Sequence, residues 1–121
     1  MKFILSKPPS INHLYGYTAR GGFAHSYITK EGTAWFQESG YRINSQKQGM
    51  TTITTPVSAT IKLYTFYKRD IDNFLKPVLD VLQKQSIIKN DALVVELHVS
   101  KHKTSKDKER VEIELEKSRL M

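Results

Sequence analysis

The sequence predicts an α+β fold, two helices packed on one sheet of about four strands in the order β-α-β-α-β-β. Three observations carry it. From Val57 to about Tyr67, apolar positions (Val57, Ala59, Ile61, Leu63) alternate with polar ones (Ser58, Thr60, Lys62), as in a half-buried strand. Over residues 71–84, Ile71, Phe74, Leu75, Val78, Leu79 and Leu82 recur at helical spacing and form one apolar stripe. Leu93, Val95, Leu97 and Val99, then Val111, Ile113 and Leu115, repeat the strand period.

Taken in order, residues 2–6 form a first strand that Pro8-Pro9 stops. Residues 8–28 read as a long loop, with Gly16, Gly21 and Gly22 among Tyr15, Tyr17, Arg20, Phe23, His25 and Tyr27. Thr29 caps a helix running to about Gln48, with Trp35, Phe36, Ser39, Gly40 and Ile43 on one face. Thr51–Pro56 breaks the chain before the central strand. Asp72 and Asn73 are cap residues for the second helix, and a start at Asn73–Phe74 places Pro77 near the first turn. The last two strands read as a hairpin joined by the polar segment 101–109.

The 121 residues suit one domain spanning residues 1–121. Lys and Arg number 19 against 12 Asp and Glu, a formal charge of +7. That excess suits a polyanionic partner, and a solvated basic surface is the plainer alternative. The absence of cysteine excludes a disulfide scaffold, a thiol nucleophile and a thiolate metal site. No apolar run approaches the roughly 18 residues of a membrane span. The three apolar residues after Lys2 are too few for a signal peptide. A soluble, cytoplasmic protein with no membrane partner is expected.

The chemistry concentrates in residues 68–80. Asp72, Lys76 and Asp80 stand at i, i+4 and i+8, a polar stripe opposite the apolar face. Asp70 lies two residues earlier, at the end of a strand. On their own, the same residues read more readily as a helix cap and two exposed ion pairs. Clustered carboxylates repel one another, and a divalent cation relieves that repulsion. Mg²⁺ takes oxygen ligands, with Mn²⁺ as a substitute, so a basic chain with one acidic cavity reads as a metal-dependent nuclease. Lys76 is placed to meet a phosphate. Asp91, at the head of the next strand, is a possible fourth carboxylate or an ordinary strand-entry residue.

This segment resembles the RusA family of Holliday-junction resolvases, found in bacteria, prophages and phages. The pattern D-x-D-N-x2-K-x3-D, with a further Asp eleven residues on, is met by Asp70, Asp72, Asn73, Lys76, Asp80 and Asp91. A second block, P-P-S-x-N-x2-Y and a glycine-containing loop, is met by Pro8, Pro9, Ser10, Asn12, Tyr15, Arg20 and Gly21, and Glu31-Gly32 matches at the first helix. The resemblance covers nearly the whole chain. It implies a Mg²⁺-dependent homodimeric endonuclease that cuts four-way DNA junctions in paired, symmetric fashion during recombination and repair, in a bacterial or phage-infected cell. It implies metal ligation by Asp70, Asp72, Asp80 and Asp91, and catalysis by Asp70, Asp72, Asp91 and Lys76. It implies DNA contacts from Lys68, Arg69, Asn73, Lys76, Asn12, Tyr15 and Arg20. One departure is visible: the family often carries paired acids where this chain has Asn90-Asp91.

Residues 101–110 read as a solvated hairpin loop with Lys101, Lys103 and Lys106 open to phosphate contact. The aromatics of residues 12–28 could stack on unpaired bases or pack on the core. The histidines show no metal-ligand spacing, and Trp35 reads as core or dimer interface. The alternative function is a non-catalytic protein that binds branched DNA. A metal-dependent nucleotide transferase or phosphatase is a third reading, weakened by the lack of a Gly-rich phosphate loop.

Overall fold

The computed structural model describes residues 1–10, 15–20, 23–47, 49–68 and 70–120; residues 15, 17–20, 23–26 and 72 are described by backbone alone. Among the described residues, six strands and two helices follow in order: β1 (Lys2–Leu5), β2 (Tyr15–Arg20), β3 (Phe23–Ile28), α1 (Lys30–Lys47), β4 (Val57–Thr65), α2 (Asp72–Lys84), β5 (Val94–Lys103) and β6 (Arg110–Lys117). Short 3-10 turns at Asp91–Leu93 and Lys106–Lys108 flank β5.

The main sheet is mixed, in the order β1-β6-β4-β5, and β2 and β3 form a separate antiparallel pair. Alternation decides which face is buried. Phe3 and Leu5, Val57 to Leu63, and Val111 to Leu115 send every second side chain into one core. α1 adds Trp35 and Ile43 to that core, and α2 adds Phe74, Val78, Val81 and Leu82. The opposite sheet face carries Lys2, Thr60, Lys62, Glu112, Glu114 and His98 in half-buried or exposed positions. The expected α+β class, with two helices on four strands, is therefore what forms.

Local chemistry fixes the element ends. The Thr29 hydroxyl accepts the Gly32 N–H at 3.0 Å and starts α1. Near the end of α1, the Gln46 side-chain amide accepts from Ile4 N at 2.8 Å and donates to Ile4 O at 3.0 Å. It thereby pairs the outer edge of β1 as a neighbouring strand would. Trp35 is buried and donates Nε1–H to Ser6 O at 3.0 Å, so it belongs to the core.

Four expectations are corrected. β5 and β6 are not a hairpin, because β4 lies between them: β5 pairs it in parallel and β6 antiparallel. A nine-residue strand with every odd position buried is central and needs a neighbour on each side. The parallel neighbour is reached through the α2 crossover. Residues 8–28 are not all loop, since β2 and β3 pair with Arg20 opposite Phe23. β4 ends at Thr65, because Glu109 takes the Phe66 N–H and the Thr65 hydroxyl donates to Tyr67 O, bending the chain out of the sheet. α2 starts at Asp72 after Ile71, which makes no side-chain cap, so Pro77 lies inside the helix.

Candidate active site

The crossover β4–α2–β5 positions the acidic residues. Asp70 follows the exit of β4, is exposed, and its carbonyl accepts the Asn73 N–H at 3.3 Å. Asp72 is the first residue of α2, and its side chain lies outside the described set. Lys76 Nζ stands 3.9 Å from Asp80 Oδ2, one turn further along. The pair is partly solvated and contributes a few tenths of a kcal/mol, roughly 0.3–0.5, to the helix.

Asp91 is brought to the same helix by a contact that the spacing did not reveal. Its N–H donates to Gln83 Oε1 at 3.0 Å. Gln83 lies in the last turn of α2, so the Asp91 backbone docks at the C-terminal end of that helix. Asn90 has a structural task there. Its side-chain oxygen accepts the Ala92 N–H at 2.8 Å, the N-cap of the 3-10 turn. Asn and Asp cap equally well, so the amide replaces a carboxylate without loss of that bond.

The acids consequently fall into two pairs. Asp70 and Asp72 mark the N-terminal end of α2, and Asp80 and Asp91 the C-terminal part. The 13-residue helix separates the ends by about 20 Å, at 1.5 Å per residue. Parallel pairing of β4 with β5 dictates this, because α2 must return the chain to the start of the sheet. Among the described residues, no three His, Asp or Glu side chains gather closely enough to hold a metal ion. A carboxylate supplies the hard oxygen donors that Mg²⁺ takes alongside water and phosphate.

At the exit of β4, a half-buried carboxylate knot ties down the chain ahead of Asp70. Glu109 Oε2 accepts from Lys7 Nζ at 2.7 Å and from Phe66 N at 3.0 Å, and it shares with Tyr67 O the single proton of Thr65 Oγ1, which lies 3.1 Å from each. Burial pushes the Glu109 carboxyl up, but the Lys7 ammonium, the Phe66 N–H and the Thr65 hydroxyl outweigh it and hold the group below the usual carboxylate range. Residues 101–110 are therefore not simply a solvated loop: β5 runs through Lys103, and Glu109 is an anchor.

The remaining expected DNA contacts are spread out. Lys68 is exposed beside Asp70, and Asn73 is half-buried in the first turn of α2. Tyr15 and Arg20 lie at the two ends of β2. Arg69 and Asn12 lie outside the described residues.

This α+β chain carries its candidate acids on the crossover helix and in the segments that flank it. The family model for the endodeoxyribonuclease RusA matches residues 7–116, which include every candidate residue named above. The chain belongs to the RusA family. The crossover junction endodeoxyribonuclease RusA of Aquifex aeolicus (strain VF5) is 48% identical over 59 residues, 49% of this chain and 46% of that protein. The match thus spans about half the length of the curated relative. Among the described residues, no helix is long and apolar enough to cross a membrane.

Proposed function

We propose that this chain is a Mg²⁺-dependent endonuclease that resolves four-way DNA junctions by paired symmetric cuts, in recombination or repair. Membership of the RusA family and the name of the Aquifex relative support the substrate class. The observation that carries the reading is the crossover helix, where Asp70 with Asp72 and Asp80 with Asp91 flank Lys76 in a chain of net charge +7.

Asp70, Asp72, Asp80 and Asp91 would hold Mg²⁺, which supplies a polarised water and shields the charge of the phosphate. Lys76, with three N–H donors, binds a non-bridging phosphate oxygen and stabilises charge that develops there. Gln83 and Asn90 orient the backbone on either side of Asp91. The basic surface holds the DNA backbone, so binding weakens with salt.

The separation of the acid pairs favours a homodimer. A twofold axis beside α2 sets the N-terminal end of one helix against the C-terminal end of its mate. Asp70 and Asp72 of one copy then meet the other acid pair across the axis. Two equivalent sites result, as symmetric cutting needs.

The test uses a synthetic four-way junction and a linear duplex of the same sequence, each with Mg²⁺ and with EDTA. Paired nicks in the junction alone are expected, lost in EDTA and in Asp70→Asn. Tight junction binding without nicking under Mg²⁺ or Mn²⁺ would overturn the catalytic reading in favour of a branched-DNA-binding protein.

A further inference from the structure

Four residues before Asp70, the chain exposes two adjacent aromatic rings. Phe66 is 46% and Tyr67 45% solvent-accessible, at the end of a strand whose other large apolar side chains are buried. The rings meet edge to face, with centroids 5.1 Å apart and planes at 86°. Their backbone is held by the Glu109 and Thr65 hydrogen bonds. That arrangement anchors the backbone that carries two aromatic faces exposed to water.

Two ammonium groups lie near the Tyr67 ring. Lys7 Nζ lies 5.4 Å and Lys106 Nζ 5.9 Å from the Tyr67 centroid. Beside the pair opens a cleft of about 280 Å³, lined by Thr65, Lys68, Lys101, His102 and Lys103 as well as the two aromatics. His102 forms part of its wall and is fixed by stacking on Tyr64 at 4.9 Å, while the Arg110 guanidinium lies over the same Tyr64 ring at 3.9 Å. Among the described residues, three lysines and no carboxylate line the cleft, and Glu109, which accepts the Phe66 N–H, is paired with Lys7. The cleft is therefore positive, and it lies just below the usual range of about 300–1,000 Å³ for a small-molecule pocket. A positive groove with exposed aromatic faces is the build of a site for single-stranded nucleic acid.

We infer that Phe66 and Tyr67 form a stacking platform for one unpaired nucleobase of the DNA substrate, with Lys68, Lys101 and Lys103 holding the adjoining phosphates. The occupant is an unpaired nucleotide because a paired duplex hides its base faces inside the stack. A platform so close in sequence to Asp70 grips the strand next to the carboxylates and favours branch points over continuous duplex. The inference rests on the endonuclease reading for its substrate, but its test does not need cleavage.

Binding of fluorescein-labelled oligo(dT) and of a linear duplex is measured in EDTA, for the wild type, the double variant Phe66→Ala/Tyr67→Ala, and Tyr67→Phe. The double variant is expected to lose about tenfold or more in affinity for the single strand, with duplex affinity changed less than twofold. Tyr67→Phe keeps the π-face and is expected to bind as wild type. Equal loss on both DNAs, or no loss on either, would overturn the inference. A second measurement uses the unaltered protein: a strand carrying 5-iodouracil is photo-crosslinked in EDTA and the adduct mapped by mass spectrometry. Adducts on Phe66 or Tyr67 are expected, and adducts only elsewhere would refute the platform. If junction cleavage fails while the aromatic-dependent binding stands, the endonuclease reading falls and the platform remains. If cleavage stands and the aromatic dependence is absent, the reverse holds.

Discussion

Replacing Glu109 with Gln tests the knot at the β4 exit. One carboxylate oxygen there receives three donors, and the Lys7 and Glu109 side chains are only 15% and 13% exposed. Gln keeps an acceptor for the Phe66 N–H and the Thr65 hydroxyl but leaves the half-enclosed Lys7 ammonium without its counter-charge. Hydrogen bonds to charged groups contribute about 1.5–3 kcal/mol, and breaking a fully buried pair costs about 3–5. Some solvent reaches this pair, so Glu109→Gln is expected to cost about 2 kcal/mol at neutral pH. For a chain of this length that lowers the Tm by roughly 6–10 °C. The pH dependence gives the sharper check. The folded carboxyl titrates below its ordinary value, so its stabilisation is full above the unfolded pKa and is lost as pH falls through the folded one. Urea denaturation of wild type and variant between pH 7 and pH 3 should show a constant gap at neutral pH that narrows from about pH 4.5 downward. In Lys7→Met, burial is opposed by less, so the carboxyl rises and acid sensitivity shifts to higher pH. A gap under about 0.5 kcal/mol at pH 7, or one that persists unchanged in acid, would refute the knot.

Two further outcomes concern the docking of Asp91. Gln83→Leu removes the acceptor for the Asp91 N–H and should cost about 1 kcal/mol, with faster hydrogen exchange confined to residues 90–93; unchanged exchange there would show that Gln83 does not dock the strand. Asn90→Asp keeps the cap and should leave the Tm within about 2 °C, whereas Asn90→Ala should cost about 1 kcal/mol in thermal denaturation.

What the sequence made legible follows from the range of the interactions. α2 was visible because its apolar stripe is internal to one segment, and β4 because period 2 needs only nine residues. The pairing of β5 was not visible: Val95 and Leu97 announce a strand but not which neighbour it takes. That direction decides where Asp91 stands, so the spacing of the acids was readable while their division between the two ends of α2 was not. Glu109 looked like one acid among lysines because its partners are Lys7, 102 positions away, and Thr65, 44 away. The β2–β3 pair did leave a signal. Tyr15 and Tyr17, then Phe23, His25 and Tyr27, alternate around Gly21-Gly22, a hairpin signature that the density of glycine obscured.

The sheet order has a consequence for how the protein is made. β6 is the last strand in sequence, yet it lies between β1 and β4. Phe3 and Leu5 can join the core only after residues 110–117 have left the ribosome, because Ile113 and Val111 are their partners. Such long-range closure places folding toward the slow end for domains of this size. A nascent chain therefore carries its acid-bearing helix before it owns the sheet that aligns it, and any truncation ahead of Arg110 leaves that helix without the strand that closes the core.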